Sequence, residues 1–127
     1  MKPKAILIQI FVSDISKAER WYKEKLDFSL IERFPKWKCV YMKFGNALFD
    51  IGEPIPNWGR NWKRAKSKIG DLTGIFFEVD DIQETYKKLK KKGVRFITKP
   101  KLKSWNEFKA DFVDFDGNEF SIIQEKK

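Results

Sequence analysis

The chain contains no histidine. That removes the side chain that most often binds metals and moves protons near neutral pH. Cysteine is nearly absent too: Cys39 stands alone. No intramolecular disulfide can form, which fits a reducing compartment. No histidine is present to activate the Cys39 thiol, so a structural thiol is favoured over a nucleophile. Long apolar runs are missing. The run Ala5 to Val12, AILIQIFV, is short, is interrupted by Gln9, and leads into Ser13-Asp14 without a small-residue cleavage pattern. No run is long enough to cross a bilayer. The expectation is a cytoplasmic protein with no membrane partner. Acidic residues are outnumbered, 18 against 27 Lys and Arg, for a net charge of +9 and a pI near 9.6. That balance makes an acidic groove less natural and favours anionic ligands or weak non-specific nucleic-acid contact. The plainer reading is a lysine-rich solvated surface.

What is present is ample for a core. Of 127 residues, 42% are hydrophobic and 16% aromatic, so disorder is excluded and one compact domain, or two small modules sharing a core, is expected. Ala5 to Val12 alternates as a strand apolar on both faces. Ser16 with Glu19 has the form of a capping box, and Ile15, Ala18, Tyr22 and Leu26 make a helical stripe. Asp27 breaks the helix. Strands are expected at Phe28 to Phe34, Cys39 to Phe44 and Ala47 to Ile51, with a turn at residues 35–38 and a hairpin on Gly45-Asn46.

The pattern then repeats. Thr73 to Val79 reads as a strand and Asp81 with Glu84 as a helix start. Ile82, Tyr86 and Leu89 form a stripe, and Gly93 is a stop. Strands are expected at Val94 to Thr98 and Phe108 to Val113, with residues 99–106 a loop. A tight turn on Asp116-Gly117-Asn118 leads to the closing strand, Phe120 to Gln124. Strand, helix, strand, strand, strand thus occurs twice. The first module takes residues 1–52 and the second residues 73–127. Between them, residues 53–72 carry Pro54, Pro56, Gly59 and Gly70 and read as a linker.

Particular residues sharpen this. Val12-Ser13-Asp14 is followed by Trp21-Tyr22 and Leu26-Asp27-Phe28. Phe77-Glu78-Val79-Asp80-Asp81 is followed by Leu89 and Gly93-Val94. Asp114-Phe115-Asp116-Gly117-Asn118 closes the series, with Phe115 in place of a usual Pro. In order and spacing they resemble the vicinal oxygen chelate superfamily, the glyoxalase, bleomycin-resistance and extradiol-dioxygenase group, over essentially the whole chain. The resemblance implies an α+β fold of two βαβββ modules whose mixed sheets curl around a cavity, and a homodimer in many members. It also implies metal ligands on the cavity face. Those positions fall on Leu7, Gly74 and Ser121, and on either Phe49 or Asp50. Leu7, Gly74 and Ser121 are poor or impossible side-chain ligands, so no metal and no cofactor are expected. An all-oxygen set of Gln9, Asp50 and Glu78 remains conceivable for a hard cation.

Strand parity lists the side chains for a ligand-binding face: Gln9, Phe11, Tyr41, Asp50, Phe76, Glu78 and Ser121, beside Leu7, Gly74 and Ile123. Packing of a closed core is the competing account. Trp58, Trp62 and Trp105 lie in loops; Trp58 and Trp62 stand among Arg60, Lys63 and Arg64, which suits a planar anionic ligand or a tryptophan-anchored lid. Glu78 is the one nameable base, but it lacks an acid, nucleophile or metal partner, so no catalytic residue is assigned. The leading expectation is a metal-free protein that binds a small neutral or anionic aromatic molecule. The alternatives are a lyase, isomerase or dioxygenase with a rebuilt metal site, and a basic nucleic-acid module. For the last, the lysines at 87, 88, 90, 91 and 92 lie on a helix whose other face is core, so a solvated face is the default.

Overall fold

The computed structural model describes residues Met1–Lys127. The chain divides into two compact units, Met1–Ile69 and Gly70–Lys127.

The first unit runs β1 (Leu7–Phe11), α1 (Ile15–Leu26), β2 (Ser29–Phe34), β3 (Cys39–Phe44), β4 (Ala47–Gly52) and a short α2 (Trp62–Ser67). Its open four-stranded sheet has the order β1-β4-β3-β2, with β1 parallel to β4 and the other pairs antiparallel. One face is packed with Ile10, Val40, Met42, Phe49 and Ile51, all essentially inaccessible, together with Ala18, Tyr22 and Leu26 of α1. Phe28 is the hub of this core: its ring lies 5.1 Å from Tyr22, 4.8 Å from Phe49 and 4.7 Å from Phe44. Each such ring contributes about 1.5–3 kcal/mol by leaving water.

The start of α1 differs from the expected capping box. Asp14, not Ser16, is the N-cap, and its Oδ1 accepts from the Lys17 N–H at 3.0 Å. Ile15 N–H is taken by the Glu53 carboxylate at 3.2 Å, a partner from the end of β4 that no local motif could reveal. Asp27 ends the helix in the left-handed region, φ 64°. Gly45, φ 59°, is the only positive-φ residue of the two-residue hairpin turn, the pattern of a type II′ turn. The stretch after β4 contains a 3-10 turn, Pro56–Trp58, and α2 with Ala65 buried.

The second unit repeats the plan: β5 (Leu72–Glu78), α3 (Ile82–Lys91), β6 (Arg95–Phe96), β7 (Lys101–Leu102), β8 (Glu107–Val113) and β9 (Glu119–Glu125). Its order is β5-β9-β8-β6, with β7 also paired to β8, and again the first strand is parallel to the last. Asp81 caps α3 as expected, and Gln124 Oε1 takes the Ile82 N–H at 2.8 Å, much as Glu53 serves Ile15. Phe77, Phe112 and Phe120 stack at 5.5–6.2 Å between centroids in the core.

The strand expected over Val94 to Thr98 shrinks to two residues, and the expected loop beyond it holds β7. The amides of Ile97 and Thr98 both converge on the Asp111 carbonyl, and Pro100, with no N–H, interrupts the ladder before it resumes. Gly74 sits at a bulge, φ 73°, between the paired positions Leu72 and Phe76, braced by Thr73 Oγ1 donating to the Glu119 carbonyl at 2.7 Å. The Asp116-Gly117-Asn118 turn is built around Asp114. Its Oδ1 accepts from the amides of Asp116 and Asn118 at 2.8 and 2.9 Å, and Oδ2 from Asn118 Nδ2 at 2.8 Å.

Candidate functional site

The helix-covered face of each sheet is core, so chemistry is left to the opposite face. On the first sheet the register arranges that face in rows. Gln9, Asp50, Tyr41 and Glu32 are successive cross-strand partners; so are Phe11, Gly52, Cys39 and Phe34. The first row is polar. The second is apolar and has a gap at Gly52, because glycine has no side chain.

Trp58 fills that gap. A Cβ built on Gly52 would lie 2.6 Å from the Cη2 and Cζ2 atoms of the indole, so the ring rests directly on the strand backbone. Trp58 Nε1 donates to the Trp37 carbonyl at 2.7 Å, and its ring lies 6.1 Å from Phe11. Phe34 and Tyr41 are in ring contact at 4.7 Å, tilted by 59°. The result is an aromatic surround for the Gln9–Asp50 pair.

Asp50 settles which residue after the Gly45-Asn46 turn reaches this face. Phe49 is 1% exposed and packs in the core, so Asp50 points the other way. Gln9 Nε2 donates to Asp50 Oδ2 at a long 3.4 Å. Oδ1 is buried and makes no hydrogen bond. Burial pushes the Asp50 carboxyl above its ordinary range, against the pull of the neighbouring Cys39 thiol and Gln9 amide. Cys39 is itself pushed up to about 11, by burial first and then by Asp50, so its sulfur is a thiol at physiological pH. Tyr41 is shifted upward for the same two reasons, burial and Asp50.

The corresponding face of the second sheet is differently furnished. Phe76 is paired in register with Ser121, and Glu78 with Ile123. Phe76 is half exposed and Glu78 exposed, whereas Ser121 is buried. Ser121 Oγ donates to Asp111 Oδ1 at 2.7 Å, and Lys109 Nζ donates to the same oxygen at 2.8 Å. Lys109 also lies over the Phe76 ring, 5.5 Å from its centroid. Burial would raise the Asp111 pKa, but Lys109, Ser121 and Thr98 outweigh it and hold the carboxyl below its ordinary range.

The sequence-derived residues therefore fall into separate groups. Gln9, Phe11, Tyr41, Asp50 and Trp58 come together on the first sheet. Phe76, Glu78 and Ser121 lie on the second. Trp62 is on α2, flanked by Lys63 and Lys66, each 5.9 Å from its ring. Trp105 is exposed in the β7–β8 connection and donates to Glu107 Oε1 at 2.9 Å. Cys39, Phe34, Gly52, Lys109 and Asp111 belong to these faces and were not assigned to a ligand-binding face from sequence; cross-strand register was the signal for them. A cavity of about 270 Å³ beside α1, lined by Glu19, Arg33, Pro35, Lys38 and Cys39 among others, holds none of the expected ligand-binding residues. Its Arg33–Glu19 pair is already mutually satisfied at 2.7 and 2.8 Å.

Metal ligation can be tested on the donor set. Leu7 and Gly74 offer no side-chain donor, and Ser121 Oγ is committed to Asp111. No group of three or more His, Cys, Asp or Glu side chains is placed to hold an ion. These residues do not fit a chelate site, and no chemical step through a metal is derived.

The sequence matches the family model for the Glyoxalase/Bleomycin resistance protein/Dioxygenase superfamily over residues 5–122. The chain belongs to this superfamily. It is 34% identical over 126 residues to the uncharacterized protein YurT of Bacillus subtilis (strain 168), covering 95% of this chain and 98% of that one. A crystal structure of a superfamily member from Sphaerobacter thermophilus DSM 20745 superposes with a TM-score of 0.78 at 29% identity, covering 98% of each chain. TnmS3, an antibiotic binding protein from Streptomyces sp. CB03234, has the same fold, with a TM-score of 0.75 at 24% identity and 98% of each chain covered. No helix of this superfamily member is long and apolar enough to cross a membrane.

Proposed function

We propose that the protein binds a small aromatic molecule on the open face of its first sheet, without metal chemistry. One observation carries this reading: a polar pair, Gln9 and Asp50, with a buried carboxylate oxygen left unbonded, is framed by Phe11, Tyr41 and the Trp58 indole seated on Gly52. Aromatic walls around a few converging polar groups are the usual make-up of a small-molecule site. The antibiotic binding of TnmS3 is a precedent for this fold serving as a binding protein. Uncommitted acid, base and nucleophile are what a catalyst would need, and the face supplies a thiol held protonated and a carboxylate alone.

Binding is measured by tryptophan fluorescence against a panel of fused-ring phenols, quinones and aromatic carboxylates. At least one saturable quench is expected, and Trp58→Phe should remove most of it. Silence across the panel, or a quench that survives Trp58→Phe intact, overturns the assignment to this face. The protein is also proposed to act in the cytoplasm and as a homodimer, which light scattering at micromolar concentration tests.

A further inference from the structure

Asp50 is the one group on the first sheet's open face whose chemistry is unfinished. Buried polar atoms in folded proteins are nearly always hydrogen-bonded, and a carboxylate oxygen offers only acceptor sites. Oδ2 has Gln9 Nε2; Oδ1 has nothing, although it is buried. The neighbouring sulfur of Cys39 is a weak donor and leaves Oδ1 unsatisfied. A carboxylate meant only for packing would be paired on both oxygens, as Asp114 is in the second unit.

We propose that Asp50 is the specificity-determining residue of this face, and that the ligand is a neutral aromatic molecule carrying an O–H or N–H donor on its ring edge. This rests on the binding reading above and narrows it. Gln9 is the positioning residue: its amide fixes the carboxyl group through Oδ2, and the donor has to displace the side chains that cover Oδ1. Phe11, Tyr41 and Trp58 take the ring, and Asp50 takes the donor's proton-bearing edge. The charge around the site argues for neutrality. An aromatic carboxylate is an acceptor and brings no donor on its charged group to answer Asp50 Oδ1. A cationic ligand would have to enter a unit in which 15 Lys and Arg face 7 Asp and Glu between Met1 and Ile69, a net +8. A neutral donor meets neither obstacle. Leaving a buried acceptor unpaired is also what gives such a site its discrimination, because an analogue without the donor leaves the cost in place.

Titration calorimetry at pH 7.5 with three matched probes decides it: naphthol, its methyl ether, and naphthoate. Naphthol should bind about tenfold or more tighter than the ether and the carboxylate. Asp50→Leu should bring naphthol and the ether to within about twofold of each other, while Gln9→Ala should weaken naphthol alone. The comparison among probes on the unaltered protein needs no variant to fold. Naphthol and ether binding equally there overturns the donor role of Asp50 and leaves aromatic binding standing. Naphthoate binding tightest overturns the neutral-ligand assignment. Absence of heat with all three overturns both this inference and the binding reading beneath it.

Discussion

Replacing Gly52 by alanine is a one-methyl probe of how the aromatic surround is assembled. The added Cβ would stand 2.6 Å from two indole carbons of Trp58 and 3.3 Å from the Cβ of Cys39. Carbon atoms in contact sit about 3.5–4.0 Å apart, so the indole has to retreat by roughly 1 Å. The retreat has a second consequence. Trp58 Nε1 already sits at 2.7 Å from the Trp37 carbonyl, and a comparable displacement takes that bond past the useful range of about 3.2 Å. Overpacking of this kind costs about 1–3 kcal/mol and a lost hydrogen bond about 0.5–1.5 kcal/mol. Against that, Gly→Ala at a backbone any residue can adopt gains about 0.4–1 kcal/mol from the unfolded chain. The net expectation for Gly52→Ala is a loss of about 1–3 kcal/mol. The test is a double-mutant cycle with Trp58→Ala, read by urea unfolding in far-ultraviolet circular dichroism. In the Trp58→Ala background the methyl meets no indole, so Gly52→Ala should be neutral or slightly stabilising, with a coupling of about 1–3 kcal/mol. An equal cost in both backgrounds would mean that Cys39 or the strand, not Trp58, resists the methyl. The seat of the indole on β4 would then be refuted, and with it the aromatic wall beside Asp50.

Two further outcomes test other parts of the structure. Asp114→Ala leaves the amides of Asp116 and Asn118 and the Asn118 carboxamide without their acceptor, so it should destabilise by about 2–4 kcal/mol, measured by denaturant unfolding; a loss under about 0.5 kcal/mol would refute the turn's dependence on it. Cys39, with its thiol pushed up to about 11 from 9.0, should hold roughly 100-fold less thiolate at pH 8 than an unperturbed cysteine, so iodoacetamide should label it slowly, with the rate still rising above pH 9. Because Asp50 is the second cause of that shift, Asp50→Asn should speed labelling, and a rate plateau near pH 9 in the unaltered protein would contradict the burial of the thiol beside Asp50.

Much of the architecture is legible in the chain because it is written in local, periodic signals. The alternation in Ala5 to Val12, the stripe Ala18, Tyr22, Leu26 and the Gly45-Asn46 turn each specify their own element, and their recurrence specifies the repeat. The errors fall where a distant partner decides. Ser16 lost the cap to Asp14 while Glu53, thirty-eight residues on, took the first amide. Strand β6 is cut short by the doubly used carbonyl of Asp111. The site was legible in part for the same reason. Parity placed Gln9 and Phe11 on one face, but left the position after the Gly45-Asn46 turn open between Phe49 and Asp50. Only register could set Asp50 between Gln9 and Tyr41, or oppose Gly52 to Cys39 and so leave a hollow for Trp58.

The two repeats share a topology but not the chemistry of their open faces, and the contrast bears on function. Each places an aspartate on a central strand there: Asp50 on β4, Asp111 on β8. Asp111 is answered by its own unit at Oδ1, which accepts from both Lys109 Nζ and Ser121 Oγ. Thr98 Oγ1 accepts from the Asp111 backbone N–H, and together Lys109, Ser121 and Thr98 hold the carboxyl below its ordinary range. Its stability contribution is present above its ordinary value of 3.8 and is lost only as pH falls through the lowered folded value. Asp50 is the reverse case. Its pKa is raised by burial, so its folded form favours the proton, and as pH rises through 3.8 toward the raised value the fold loses stability by ionising it. A fold gains nothing from carrying such a group near neutral pH, where a paired carboxylate of the Asp111 kind was available to the same architecture. An unanswered carboxylate walled by Phe11, Tyr41 and Trp58 is therefore better explained by a partner from outside the chain than by packing, and the donor it lacks defines what that partner must bring.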